Sequence, residues 1–76
     1  MILYNNKRRK MKLIINGEEK IVEENKSIKQ IMIDLEIIEK VMACAVNMDI
    51  VKKDSWDTYI PKENDKIELL QFVGGG

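Results

Sequence analysis

Residues 11–35, Met-Lys-Leu-Ile-Ile-Asn-Gly-Glu-Glu-Lys-Ile-Val-Glu-Glu-Asn-Lys-Ser-Ile-Lys-Gln-Ile-Met-Ile-Asp-Leu, hold the local signals that decide the fold. Met11, Leu13 and Ile15 alternate with Lys12 and Ile14, the period-two pattern of a half-buried strand. Asn16-Gly17 follows directly, and both residue types accept the positive φ of a type I′ turn, so Glu18 to Glu23 returns as a second strand. Two registers are open at this stage. A two-residue loop places Val22 on the Met11/Leu13/Ile15 face, and one extra loop residue places Ile21 there. Ser27-Ile28-Lys29-Gln30 reads as a capping box, with the serine oxygen on the Gln30 N–H and the glutamine side chain reaching back to Ser27. Ile28, Ile31, Met32 and Leu35 then form an i, i+3, i+4, i+7 stripe, with Lys29, Gln30, Asp34 and Glu36 outward. This is a hairpin followed by a helix that lies across it, and Met32 fills its core.

Working outward, Met42, Cys44 and Val46 alternate with Ala43 and Ala45, predicting a third strand with one bulky and one tightly packed face. Asn47-Met48-Asp49 turns into a short strand at Ile50-Val51. Asp54 or Ser55 is expected to cap a single helical turn whose Trp56, Tyr59 and Ile60 close one end of the core. Pro61 ends that turn, Asn64 is suited to a left-handed conformation, and the last strand directs Ile67 and Leu69 inward. Leu70 and Phe72 fall on the opposite face. Either that face is an exposed docking surface, or the helix covers it.

Seventy-six residues allow one small domain with an aliphatic core. With only Tyr4, Trp56, Tyr59 and Phe72 as aromatics, a base-stacking platform is disfavoured. Charge is unevenly placed. Residues 1–10 hold Lys7, Arg8, Arg9 and Lys10 and no acid, which leaves nine basic against thirteen acidic residues, a net charge of minus four, over residues 11–76. Neither nucleic acid nor an anionic membrane is therefore expected as a partner of the domain. Cys44 is the single cysteine and there is no histidine, so an intrachain disulfide is impossible and zinc lacks a ligand set. A catalytic role for Cys44 would need a neighbouring base, which the sequence does not supply, and a packed thiol is the simpler reading. No apolar run suits a membrane span or signal peptide, so a cytoplasmic location is expected. Residues 1–10 read as a basic, disordered leader, 11–72 as the domain and 73–76 as a flexible tail, with Met11 an alternative start.

The tail itself, Val73-Gly74-Gly75-Gly76, adds nothing to a core. Glycines without Cβ atoms can thread an active-site slot too narrow for a side chain, delivering a terminal carboxylate. A frayed terminus is the plainer alternative. The element order, hairpin, helix, strand, short strand, helical turn and final strand, gives an α+β domain. A right-handed crossover places the last strand beside the first, in a mixed sheet of four to five strands crossed by one helix: the ubiquitin-like β-grasp arrangement.

Residues 11–76 resemble the thiamine-biosynthesis sulfur carrier family, ThiS. The resemblance rests on Met11-x-Leu13-x-Ile15-Asn16, Ala43-Cys44-Ala45-Val46-Asn47, Ile50-Val51, Trp56, Asp65-x-Ile67-Glu68 and Val73-Gly74-Gly75-Gly76. Asn64 stands where the family commonly has glycine, and the leader lies outside the usual domain. The Pro-Pro element of the related molybdopterin synthase small subunit is absent. The resemblance implies a monomeric carrier with no bound cofactor, itself not an enzyme. A ThiF-type adenylating enzyme would use ATP and Mg to activate the Gly76 carboxylate, and a sulfur donor protein would convert it to a thiocarboxylate. A ThiG-type thiazole synthase would then consume the sulfur. Gly74 and Gly75 would thread the active sites, and Leu70, Phe72 and Val73 would bind the partners. Competing classes are a carrier for molybdopterin or tungsten cofactor synthesis, a ubiquitin-like protein modifier, and a binding module with an inert tail.

Overall fold

A computed structural model describes residues 9–73. The expectations for residues 1–8 and for Gly74, Gly75 and Gly76 lie outside the described residues. Among the described residues the chain runs β1 (Lys10–Ile15), β2 (Glu18–Glu23), α1 (Ile28–Asp34), β3 (Val41–Val46), β4 (Asp49–Ile50), a 3₁₀ turn (Lys53–Ser55) and β5 (Lys66–Gln71). The strands form one mixed sheet in the order β2-β1-β5-β3-β4, so the last strand is central and lies parallel to the first.

The hairpin closes in its two-residue register. Ile15 opposes Glu18 and Met11 opposes Val22, with Asn16 (φ 51) and Gly17 (φ 82) as the turn, so Ile21 lies on the other face and is exposed. The folded unit begins before Met11. Lys10 pairs with Glu23, and the Arg9 carbonyl accepts the Glu24 N–H at 2.9 Å.

Helix α1 starts where the serine marks it: Ser27 Oγ accepts the Gln30 N–H at 3.1 Å. The reciprocal half of the capping box is not formed. The Gln30 side chain donates forward to Asp34 Oδ1 (2.9 Å), where Lys26 Nζ also meets Oδ2 (2.5 Å), and these partners hold the Asp34 carboxyl below its ordinary pKa. The remaining free N–H groups of the first turn are satisfied by a distant segment. Ile28 N–H donates to the Tyr59 carbonyl (2.8 Å) and Lys29 N–H to the Trp56 carbonyl (2.9 Å). At the other end Ile37 N–H reaches Met32 and Glu36 N–H reaches Ile33, a Schellman closure with Glu36 left-handed (φ 63).

Ile28, Ile31 and Met32 bury the stripe of α1 against Met11, Leu13, Ile15, Cys44, Val46, Ile67 and Leu69 on one sheet face, with Leu35 packed at the rim. Trp56 closes the end of this core, its Nε1–H donating to the Val51 carbonyl at 2.9 Å. Two expectations fail here. Tyr59 and Ile60 are substantially exposed and do not share in the closure, because the 56–59 turn presents its carbonyls, not these side chains, to α1. Neither Asp54 nor Ser55 caps the 3₁₀ turn, whose N-cap position is Lys52 with no side-chain bond.

Strand β3 interrupts the simple alternation read from its sequence. Val41 pairs with Gln71 and Ala43 with Leu70, so two steps on β3 match one on β5, a bulge. The bulge turns Val41 into the core and leaves Met42, which alternation groups with Cys44 and Val46, exposed. The β3–β4 connection is a second tight turn, with Asn47 (φ 50) and Met48 (φ 74) between Val46 and Asp49, and β4 is Asp49–Ile50, one residue earlier than expected. Met48 is 87% exposed, so its side chain gains little from packing while its backbone is held left-handed. Met48→Gly is therefore expected to stabilise the domain by about 1 kcal/mol, a rise of roughly 4–8 °C in Tm. Thermal unfolding followed by circular dichroism checks this, and an unchanged or lowered Tm would contradict it.

Candidate functional site

β5 organises the site because it is central and its two faces differ. Ile67 and Leu69 are buried under α1, while Leu70 and Phe72 are each 61% exposed and Val73 82% exposed. Since the helix packs on the opposite face, the sheet surface bearing Leu70 and Phe72 is open, which resolves the alternative left by the sequence.

Register sets the shape of that surface. Leu70 lies opposite Ala43 and Glu68 opposite Ala45, and Ala45 in turn lies opposite Ile50. The two alanines make a low floor, giving a shallow depression flanked by Leu70, Glu68 and Ile50. Ile50 (71% exposed), opposite Ala45, extends the apolar surface beyond the sequence-predicted trio, and Met42 is exposed at the bulge. Neither was identifiable from periodicity: Met42 reaches solvent through the bulge, and Ile50 belongs to a two-residue strand too short to show a period.

The strand that leads to the tail is held from both sides. On the β3 side, the Phe72 N–H donates to the Lys40 carbonyl at 2.6 Å. On the β1 side, the Leu69 N–H donates to Asn16 Oδ1 at 2.8 Å. At the strand's start, Asn47 Nδ2 donates to Asp65 Oδ1 and Asn47 Oδ1 accepts the Lys66 N–H, each at 3.0 Å. Asn64 takes the left-handed conformation expected of it (φ 70). Sequence reasoning missed both asparagine side chains as ties of β5, since Asn-x and Asn-Gly were read only as turn chemistry.

Cys44 is 2% exposed in the core, and burial pushes its thiol up to about 11. The protonated thiol behaves as a small apolar side chain at neutral pH, in keeping with a packing role. Among the described residues no group of three or more carboxylates or thiols converges as a metal site, and no helix is long and apolar enough to cross a membrane.

The model of the ThiS family matches residues 2–76. The chain belongs to the ThiS family. The match begins within residues 1–10. Solved structures of the family have the same fold. The crystal structure of thiamine biosynthesis protein ThiS from Geobacter metallireducens superposes with a TM-score of 0.71 at 27% identity, covering 87% of this chain and all of that one. A solution structure of a thiamine biosynthesis protein from the same organism gives 0.68 at 23% identity, covering 87% of this chain and 88% of that one, a likeness of fold. Curated relatives include a thiazole synthase of Paramagnetospirillum magneticum, 33% identical, and one of Magnetococcus marinus, 27% identical, each over 66 residues. These alignments take in 87% of this chain but 20% of either relative, so the chain spans about a fifth of the length of the curated relatives it matches.

Proposed function

We propose that the chain is a sulfur carrier of thiamine biosynthesis, a protein substrate and not an enzyme, with Gly76 as the residue that bears the sulfur. The observation that carries the proposal is the ThiS family match over residues 2–76. The open apolar face beside the last strand supports it, because a carrier must be held by its partners while its tail is threaded.

In this reading the Gly76 carboxylate attacks the α-phosphate of ATP on a ThiF-type enzyme and pyrophosphate leaves, with Mg²⁺ serving that partner's site. A free carboxylate is a poor acyl donor, and the acyl-adenylate makes AMP the leaving group. The outer sulfur of a cysteine persulfide displaces AMP to give an acyl disulfide, and a second thiol of the partner then attacks the persulfide cysteine's sulfur, forming a disulfide and releasing a thiocarboxylate whose sulfur is a soft nucleophile. Gly74 and Gly75 thread the slot, and Leu70, Phe72 and Val73, extended by Ile50, bind the partner. Thiazole synthase is the consuming partner we favour, since a segment similar to this carrier occurs within proteins named thiazole synthase. Carrier and partners act in the cytoplasm, where the nucleotide is available.

Pyrophosphate release on mixing the chain with ATP, Mg²⁺ and a thiamine-pathway activating enzyme tests the proposal. Release that depends on the chain is expected. None, from an enzyme active on its own carrier, would turn the assignment toward another cofactor pathway or a module with an inert tail.

A further inference from the structure

The β1–β5 ladder ends on a side chain. Ile14 N–H donates to the Asp65 carbonyl at 3.0 Å and Asn16 N–H to the Ile67 carbonyl at 2.9 Å, successive rungs of a parallel pair. In a continuing parallel ladder the Leu69 N–H would next donate to the Asn16 main-chain carbonyl. Asn16 instead starts the tight turn, with φ 51, and its main chain departs into β2. Its side-chain carbonyl takes over: Leu69 N–H donates to Asn16 Oδ1 at 2.8 Å, across 53 positions of sequence.

One residue thereby turns β1 away and adds a final rung to β5. Beyond Leu69 the β1–β5 pairing has ended, and β5 continues on its β3 side alone as far as the Phe72 N–H, which donates to the Lys40 carbonyl. Between these two clamps Leu70 lies opposite Ala43 and Gln71 opposite Val41, and Val73 follows one residue after the second clamp. The Lys40 clamp is main chain on both sides and tolerates many side chains. The Asn16 clamp depends on a residue that both accepts a positive φ and carries a side-chain acceptor.

We infer that Asn16 is a positioning residue for the C-terminal tail: its amide oxygen holds the β1 side of β5 where the main-chain ladder has ended, fixing the direction in which the strand delivers Phe72 and Val73, and so aims Gly74-Gly75-Gly76 at the partner's active site. The inference rests on the carrier assignment. Asn16 touches no reacting atom and acts through the Leu69 main chain.

Two substitutions separate the turn from the clamp. Asn16→Gly keeps the left-handed conformation and removes the acceptor, whereas Asn16→Asp keeps both. The test combines ¹⁵N relaxation of Gln71, Phe72 and Val73 with adenylation kinetics at saturating carrier, on the full chain. Asn16→Gly is expected to lower the order of these amides and to reduce kcat about tenfold, since a tail held off its productive geometry loses rate steeply, while KM moves less than about twofold because the docking face is intact. Asn16→Asp is expected to restore both to within about twofold of wild type. A lowered Tm in Asn16→Gly with unchanged amide order and unchanged kcat would make Asn16 a stabilising residue only and overturn the positioning role. Wild-type chain that is not adenylated by an enzyme active on its own carrier would overturn the carrier assignment and the positioning role together, a result distinct from the first.

Discussion

Replacing Gly75 with phenylalanine is expected to abolish adenylation and sulfur loading while leaving the fold as stable as wild type. The effect should be at least about a hundredfold in rate, because a reacting group displaced by about 1 Å already loses that much. Stability is expected to be unaffected because the core is completed by Ile67 and Leu69, upstream of the tail. The same substitution at Gly76 places the bulk on the residue proposed to bear the reacting carbonyl and should be as severe. Turnover of either folded variant at the wild-type rate would refute threading of a side-chain-free tail. Unfolding of the variant would refute the separation of tail from core, so Tm and turnover are to be measured on the same samples.

Phe72→Asp is the second large effect, and it acts on docking. Phe72 is 61% exposed in the free chain and is absent from the core, so the substitution should change stability by less than about 0.5 kcal/mol. In the proposed complex the partner covers the ring. Losing a buried aromatic contact and placing a carboxylate there costs about 2 kcal/mol or more, roughly a thirtyfold or larger rise in Kd for the activating enzyme. Leu70→Asp should act in the same direction, since Leu70 stands beside the alanine floor of the same face. Titration calorimetry measures both, and an unchanged Kd for Phe72→Asp would remove this face from the interface. In kinetics the loss should fall mainly on KM, in contrast to Asn16→Gly.

The parts of the fold that local chemistry dictates were legible in the sequence. Asn16-Gly17 specified the turn but left two registers open, of which the structure takes the one pairing Met11 with Val22, while Ser27 marked the helix start and Asn64 foretold a left-handed residue. What escaped depends on contacts between distant segments. The bulge that exposes Met42 arises from the pairing of β3 with β5, and nothing in Val41-Met42-Ala43 announces it. Tyr59 and Ile60 resemble core residues by composition, but the 56–59 turn is fixed by its carbonyls receiving the helix N–H groups, which leaves those side chains outside. Gln30 had two acceptable uses, back to Ser27 or forward to Asp34, and Lys26 drawing Asp34 into place favours the second.

The site divides in the same way. Leu70 and Phe72 were recognisable as outward-facing because alternation on β5 is regular and the helix stripe needs only one sheet face. The exposure of Ile50 and Met42 was not, since it comes from the sheet's far edge and from the bulge. Asn16 was visible as a turn residue, whereas its bond to Leu69 requires the crossover that returns β5 beside β1.

Intact-mass measurement of the chain after incubation with ATP, Mg²⁺, a thiamine-pathway activating enzyme and a sulfur source tests the central claim most directly. A gain equal to the replacement of one oxygen by sulfur, absent when Gly76 is deleted, is the predicted result. An unchanged mass, with the same enzyme loading its own carrier in a parallel sample, would contradict it.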